Sequence, residues 1–165
     1  MITDCFLDIV SSRRANYKST FLPEAICSVE KQIKLEMELG IYVICENIPY
    51  IISSMGAIPK ADSRVRLIHD LSQPDGGPNK LAVDTSVTYA TIDDAVQLIV
   101  PGTFLGKLDL SSAYRSVPIH PSCYALTGLQ WTFVDDLQPT YFYDARLPFG
   151  AIKHVRFFKG YQMLW

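Results

Sequence analysis

The chain has 165 residues, 48% of them hydrophobic and 12% aromatic, which supports one modest domain with a real core and argues against a disordered chain. A formal net charge of −2 and a pI near 5.9 argue against a free-standing nucleic-acid binder, which usually carries a basic surplus. They leave open a local concentration of base along a channel or of acid at a metal site.

The first ten residues, MITDCFLDIV, contain an early acid and no basic segment, so they do not read as a signal peptide. The four cysteines (Cys5, Cys27, Cys45 and Cys123) form no CxxC pair and have no histidine at ligand spacing. They are expected to be buried reduced thiols rather than zinc ligands or disulfide partners. Residues 1–21 show little periodicity; Arg13, Arg14 and Lys18 make them polar, and they are expected to be loosely ordered. From Leu22 the pattern becomes helical. Leu22, Ile26, Val29, Ile33 and Met37 recur at three- and four-residue spacing, with Pro23 in the first turn and Gly40 placed to end the helix. Residues 41–52 are apolar, but Glu46, Asn47 and Pro49 interrupt a run already too short to span a bilayer. A soluble, intracellular protein (cytoplasm or nucleus) is the expectation.

Residues 54–60 and 65–70 read as a β-hairpin, joined by Ala61, Asp62, Ser63 and Arg64. SQPDGGPNK, residues 72–80, is a loop. A second helix opens at Thr91, whose hydroxyl can cap while Asp94 reaches back. It is expected to turn Ile92, Val96 and Ile99 inward and to stop at Pro101-Gly102. Residues 104–110 read as a strand with Phe104, Leu108 and Leu110 on one face and Leu105, Lys107 and Asp109 on the other. A short helix over 121–127 and two strands, 129–133 and 140–147, complete the order. The pattern is α+β, without an internal repeat.

Asp109 carries the first sign of chemistry. A carboxylate within an apolar strand is costly to bury unless it is paired or holds a metal; otherwise it caps the turn at residues 111–114. KLDLSSAYRSVPIHP around it resembles motif A of reverse transcriptases. Leu147-Pro148-Phe149-Gly150 is similar to the LPxG of motif B, and IPKADSRVRLIHDLS resembles the fingers hairpin of the same family. The three follow the family's order and cover roughly residues 54–150. VRLIHDLSQPDGG and YFYDARLPFGA resemble in particular the retrotransposon enzymes of the DIRS-like group.

The resemblance implies a partial polymerase right hand: fingers plus an incomplete ferredoxin-like palm. It divides the chain into an N-terminal segment, residues 1–53, and a partial reverse transcriptase domain, residues 54–165. The fingers hairpin would span residues 54–72 and the palm would begin at about residue 103. Asp109 matches the catalytic Mg²⁺ ligand of template-directed DNA synthesis, and the Leu110 carbonyl a backbone ligand. Lys60 and Arg66 match the residues that close on the triphosphate of the incoming dNTP. Tyr114 matches the aromatic that fills the space of a ribose 2′-hydroxyl, and Phe149 and Gly150 match the turn that supports the new base pair. The partners implied are an RNA or DNA template with its primer, and dNTP.

Phe133-Val134-Asp135-Asp136 has the look of the family's aromatic-x-Asp-Asp box but precedes LPFG instead of following it, and is expected to be a solvated hairpin turn. Asp93-Asp94 suits a helix first turn. His69 and His120 have no evident partner. The family's box would lie beyond Trp165, so this chain by itself is expected not to polymerise, since one Asp cannot offset the repulsion of two Mg²⁺ ions. Two other readings stand beside this one. One is a non-catalytic nucleic-acid-binding remnant using Arg64, Arg66, Lys153, Arg156 and Lys159 on phosphate. The other is an unrelated small α+β protein in which Asp109 caps a turn.

Overall fold

A computed structural model of the chain describes residues 12–62, 64–73, 76–81, 90–106 and 109–151. The segment from residue 152 onward, with Lys153, Arg156 and Lys159, lies outside the described residues, as do Cys5, Lys107 and Leu108.

The architecture is α+β, with the main helix packed against one strand of each of two sheets. Helix α1 (Ile26–Glu38) follows the apolar spacing, and Val29 and Ile33 are fully buried. Burial on that scale contributes about 1.5–3 kcal/mol per side chain. Gly40 ends the helix at φ +64, while Gly40 N–H donates to Met37 (3.0 Å) and Ile41 N–H to Glu36 (2.8 Å). That paired closure needs a left-handed residue, which glycine supplies without steric cost.

Strands β1 (Ser12–Arg13), β2 (Tyr42–Ile44), β3 (Ile51–Ile52), β6 (Gly128–Trp131) and β7 (Thr140–Asp144) form one sheet, in the order β1-β3-β6-β7-β2. The β1–β3 and β3–β6 pairs are parallel and the other two are antiparallel. Strands β4 (Ser54–Pro59) and β5 (Val65–Asp70) form a separate antiparallel hairpin, in register from Ser54 opposite Asp70 to Pro59 opposite Val65. Along β5, Val65, Leu67 and His69 are buried while Arg66 is exposed, the alternation of a strand with one face in the core. The core joins Val29 and Ile33 of α1 to Tyr42, Met55, Val65, Leu67, Leu129, Trp131 and Phe142.

The hairpin and the 128–144 strand pair match the sequence expectation, and the turn between β6 and β7 holds Asp135 and Asp136 exposed, as expected. The cap of helix α2 (Ile92–Val96) is also as expected: Thr91 and Asp94 form a reciprocal capping box.

Other expectations fail. Residues 12–21 are not loosely ordered but strapped along β4. Asn16 Oδ1 accepts from Met55 N–H (3.0 Å), Ser19 Oγ accepts from Ala57 N–H (3.1 Å), and Thr20 is fully buried. Polar side chains there do what a neighbouring strand would do for the β4 edge. Ile92, Val96 and Ile99 are exposed rather than inward, and no residue of α2 is buried.

Residues 104–106 and 109–110 are irregular rather than a strand, with Phe104 99% exposed. Cys27 is exposed and Cys45 and Cys123 are half-buried, so these free thiols are not core residues; Cys27 belongs to the solvent side of α1. Among the described residues no helix is long and apolar enough to cross a membrane.

Candidate functional site

A cleft of about 340 Å³ opens between the β4–β5 hairpin, α1 and the turn that follows Asp109. Lys60, Arg64 and Arg66 come to it from the hairpin, Gln32 and Glu36 from α1, Tyr42 from β2, and Ser111, Ser112 and Arg115 from the turn; Phe149 also lines it. Four cations line it beside Glu36; Asp62 pairs with Arg64 and Asp144 with Arg115, so the positive charge left over, which suits an anion, belongs to Lys60 and Arg66. Arg64 is spoken for by Asp62, with Nε at 2.7 Å and the terminal nitrogen at 2.5 Å. Lys60 and Arg66 have no ion pair among the described residues.

Arg66 places its guanidinium carbon 5.4 Å from the centre of the Phe149 ring, a cation–π contact. Phe149 in turn receives Tyr114 edge-on, with centroids 5.3 Å apart and planes at 89°. Residues 66, 114 and 149, each from a different motif, thus form one continuous stack beside the cleft. The turn that carries Phe149 is tied to β5, because His69 N–H donates to the Phe149 carbonyl (3.1 Å). Gly150 stands at φ +114, and a Cβ there would lie 2.1 Å from the His69 carbonyl oxygen. Only glycine allows LPFG to lie this close to the strand. Asn79 completes the tie, donating from Nδ2 to the Gly150 carbonyl (2.8 Å) and to Ser72 Oγ (3.0 Å).

Asp109 and Leu110 are not brought to the cleft. Both are exposed, Asp109 makes no hydrogen bond or ion pair among the described residues, and neither lines the cavity. The expected buried carboxylate is therefore absent, and so is the alternative turn cap. The turn closes instead through Ser112, left-handed at φ 51, with Ser116 N–H donating to the Ser112 carbonyl (3.2 Å) and Ser116 Oγ–H to the Ala113 carbonyl (2.6 Å). No group of three or more His, Cys, Asp or Glu able to hold a metal exists among the described residues. These residues do not fit a two-Mg²⁺ centre.

The cleft floor holds a polar network that sequence reasoning missed. Arg115 donates to Asp144 Oδ2 (2.5 Å) and to Glu36 Oε2 (2.9 Å), and Asp144 is fully buried. His69, given no partner from sequence, has Nε2 2.7 Å from the Tyr42 hydroxyl and Nδ1 3.3 Å from Asp144 Oδ2. The second contact is not aligned as a hydrogen bond, which leaves Nδ1 without one among the described residues.

Burial, with the nearby Arg115 cation, holds the His69 ring neutral to well below its usual range. Burial raises the Asp144 carboxyl to about 6, while Arg115 and the Arg146 N–H (2.9 Å) favour its charged form, so it is ionised at neutral pH. Desolvation opposes the Arg115 cation, but Asp144, Tyr42 and Glu36 more than offset it. One signal was available in the sequence: alternation along β7 puts Asp144 on the same face as buried Phe142, where a carboxylate needs a cation.

No family model matches the sequence, and no curated protein matches it. Among solved structures the chain is similar to native prototype foamy virus protease-reverse transcriptase, with TM-score 0.69 and 21% identity over 94% of this chain. It is similar to the CSH mutant of that protein at TM-score 0.69 and 22% identity, again over 94% of this chain. It is also similar to the foamy viral protease-reverse transcriptase dRH in complex with double-stranded DNA, at TM-score 0.66 and 16% identity over 93% of this chain. The chain spans 19% of the length of the first two and 25% of the third. The likeness establishes a reverse-transcriptase-like fold.

Proposed function

We propose that this chain is the nucleotide-binding front of a retroelement RNA-directed DNA polymerase, with the β4–β5 hairpin as fingers and the segment from about residue 103 as the start of the palm. The observation that carries the reading is the Arg66–Phe149–Tyr114 stack beside Lys60, on the rim of an electropositive cleft. Lys60 acts as a point charge on the triphosphate, and Arg66 can fork onto two of its oxygens. Tyr114 excludes a 2′-hydroxyl, and Phe149, held on Gly150, supports the base. Asp109 and the Leu110 carbonyl would be two of the ligands for Mg²⁺, and further carboxylates would be needed to complete that centre. YFYDARLPFGA supports a retrotransposon origin of the DIRS-like kind. Template-primer and dNTP are the partners, and synthesis by the described residues alone is not expected.

The test gives purified protein a labelled RNA template with a DNA primer, dNTPs and Mg²⁺, and measures binding and extension separately. Salt-sensitive binding without extension is expected, with Lys60→Ala and Arg66→Ala together weakening dNTP capture. Extension that Asp109→Asn abolishes would overturn the claim of inactivity. Absence of any dNTP binding would overturn the assignment of the cleft.

A further inference from the structure

Tyr114 and Arg115 are consecutive in one 3-10 turn, Ala113–Ser116, but they face different surroundings. Tyr114 meets Phe149, which lines the cleft, while Arg115 lines it directly and is only 9% exposed. Its guanidinium is gripped from two elements far apart in sequence, Asp144 on β7 and Glu36 on α1, and its carbon lies 5.5 Å from the centre of the Tyr42 ring. The residues leading into the turn, 109–112, are exposed, and the turn is entered through left-handed Ser112, a conformation that costs a non-glycine residue free energy. On its other side, the first backbone bond to a distant segment is at Val117, whose carbonyl accepts from Leu147 N–H (2.9 Å). Arg146 Nη1 reaches the Ser116 carbonyl only at 3.5 Å, so the close side-chain anchor of the turn is Arg115. A planar fork held at two points fixes direction as well as distance, which an ammonium does not.

We infer that Arg115 is a positioning residue for nucleotide selection: the Asp144–Arg115–Glu36 clamp holds the turn so that the Tyr114 ring stays where a 2′-hydroxyl would sit. The inference rests on the proposed role of the cleft and goes beyond it, since it assigns sugar selectivity to a residue that does not touch the sugar. Loosening the clamp lets the ring yield to a ribose, while Lys60 and Arg66 still hold the phosphates. The loss should therefore appear as selectivity rather than as affinity.

The experiment measures binding of dATP and ATP to the full chain and to Arg115→Lys, Glu36→Gln and Tyr114→Ala, together with amide hydrogen exchange at Ser116 and Val117. Glu36→Gln leaves the Arg115–Asp144 pair intact, and so tests the clamp even if Arg115→Lys does not fold. The wild type should prefer dATP. Both clamp variants should lower the ratio of the ATP to the dATP dissociation constant by about threefold or more, whatever they do to both affinities in common, with exchange at Ser116 and Val117 accelerated about tenfold. Clamp variants that fold and keep the wild-type preference would overturn the inference while leaving the cleft assignment standing. So would a preference that Tyr114→Ala does not change. A wild type that binds neither nucleotide would remove the cleft assignment and this inference with it.

Discussion

Tyr114 meets the Phe149 ring edge-on at 5.3 Å, bringing together residues 35 positions apart from two separate motifs. An edge-to-face pair contributes about 0.5–1.5 kcal/mol beyond its area burial. A double-mutant cycle of Tyr114→Ala and Phe149→Ala, read by denaturant unfolding, should return a coupling of that size. Additive single effects would show that the two rings are neighbours without energetic consequence.

Gly150 is the position in LPFG where a side chain has no room, with His69 carbonyl oxygen 2.1 Å from any Cβ. Gly150→Ala should destabilise the fold by at least about 1–3 kcal/mol and displace Phe149 from the cleft. Unfolding midpoints check the first part, and loss of dNTP binding at a permissive temperature checks the second.

Arg115 sits between two carboxylates, so its removal leaves Asp144 and Glu36 without their cation. Arg115→Met should cost about 3–5 kcal/mol in unfolding free energy, the range for breaking a buried pair from one side. Arg115→Met combined with Asp144→Leu should recover part of that loss. A double variant less stable than the single one would contradict the electrostatic account.

His69 gives the cleft floor a pH signature. Burial keeps the native ring unprotonated below the usual 6.5, whereas the unfolded ring takes up a proton there. The unfolded state then binds more protons, so this stabilisation is present above about pH 6.5 and is lost as pH falls below it. Asp144 works the other way: its native carboxyl, near 6, binds a proton before the unfolded one near 3.8, which adds stability on acidification. Comparing wild type with His69→Gln isolates the histidine. The stability gap between them should change against the wild type from pH 7 to pH 5, by up to about 1.4 kcal/mol per pH unit. A gap independent of pH would show that the native ring titrates normally.

Much of this architecture is legible in the sequence where a local pattern carries it. The 54–70 hairpin shows in its alternation, α1 in its apolar stripe and Gly40, and α2 in its Thr91–Asp94 cap. Strands β2 and β3 are not legible, since three and two residues flanking a break at Glu46–Pro49 have no period to read. The strap over residues 12–21 is hidden for another reason: it is made by Asn16 and Ser19 side chains acting at a distance of 38 or 39 residues.

At the candidate site, Lys60, Arg66, Tyr114, Phe149 and Gly150 could be named from motif phrasing, and the fold brings them together. Asp109 could be named in the same way, but it stays outside the cleft. The clamp beneath them was not legible as a whole, because the Arg115–Asp144 contact spans 29 residues and nothing local pairs those charges.

The central claim is that the cleft beside Lys60 and Arg66 receives the triphosphate of a deoxynucleotide. Titration of isotope-labelled protein with dATP, followed by NMR, tests it most directly. Shifts should concentrate on the amides of Lys60, Arg66, Ser111, Tyr114 and Phe149, and Lys60→Ala with Arg66→Ala should weaken binding by about tenfold or more. Shifts confined to other surfaces, or affinity unchanged in the double variant, would contradict it.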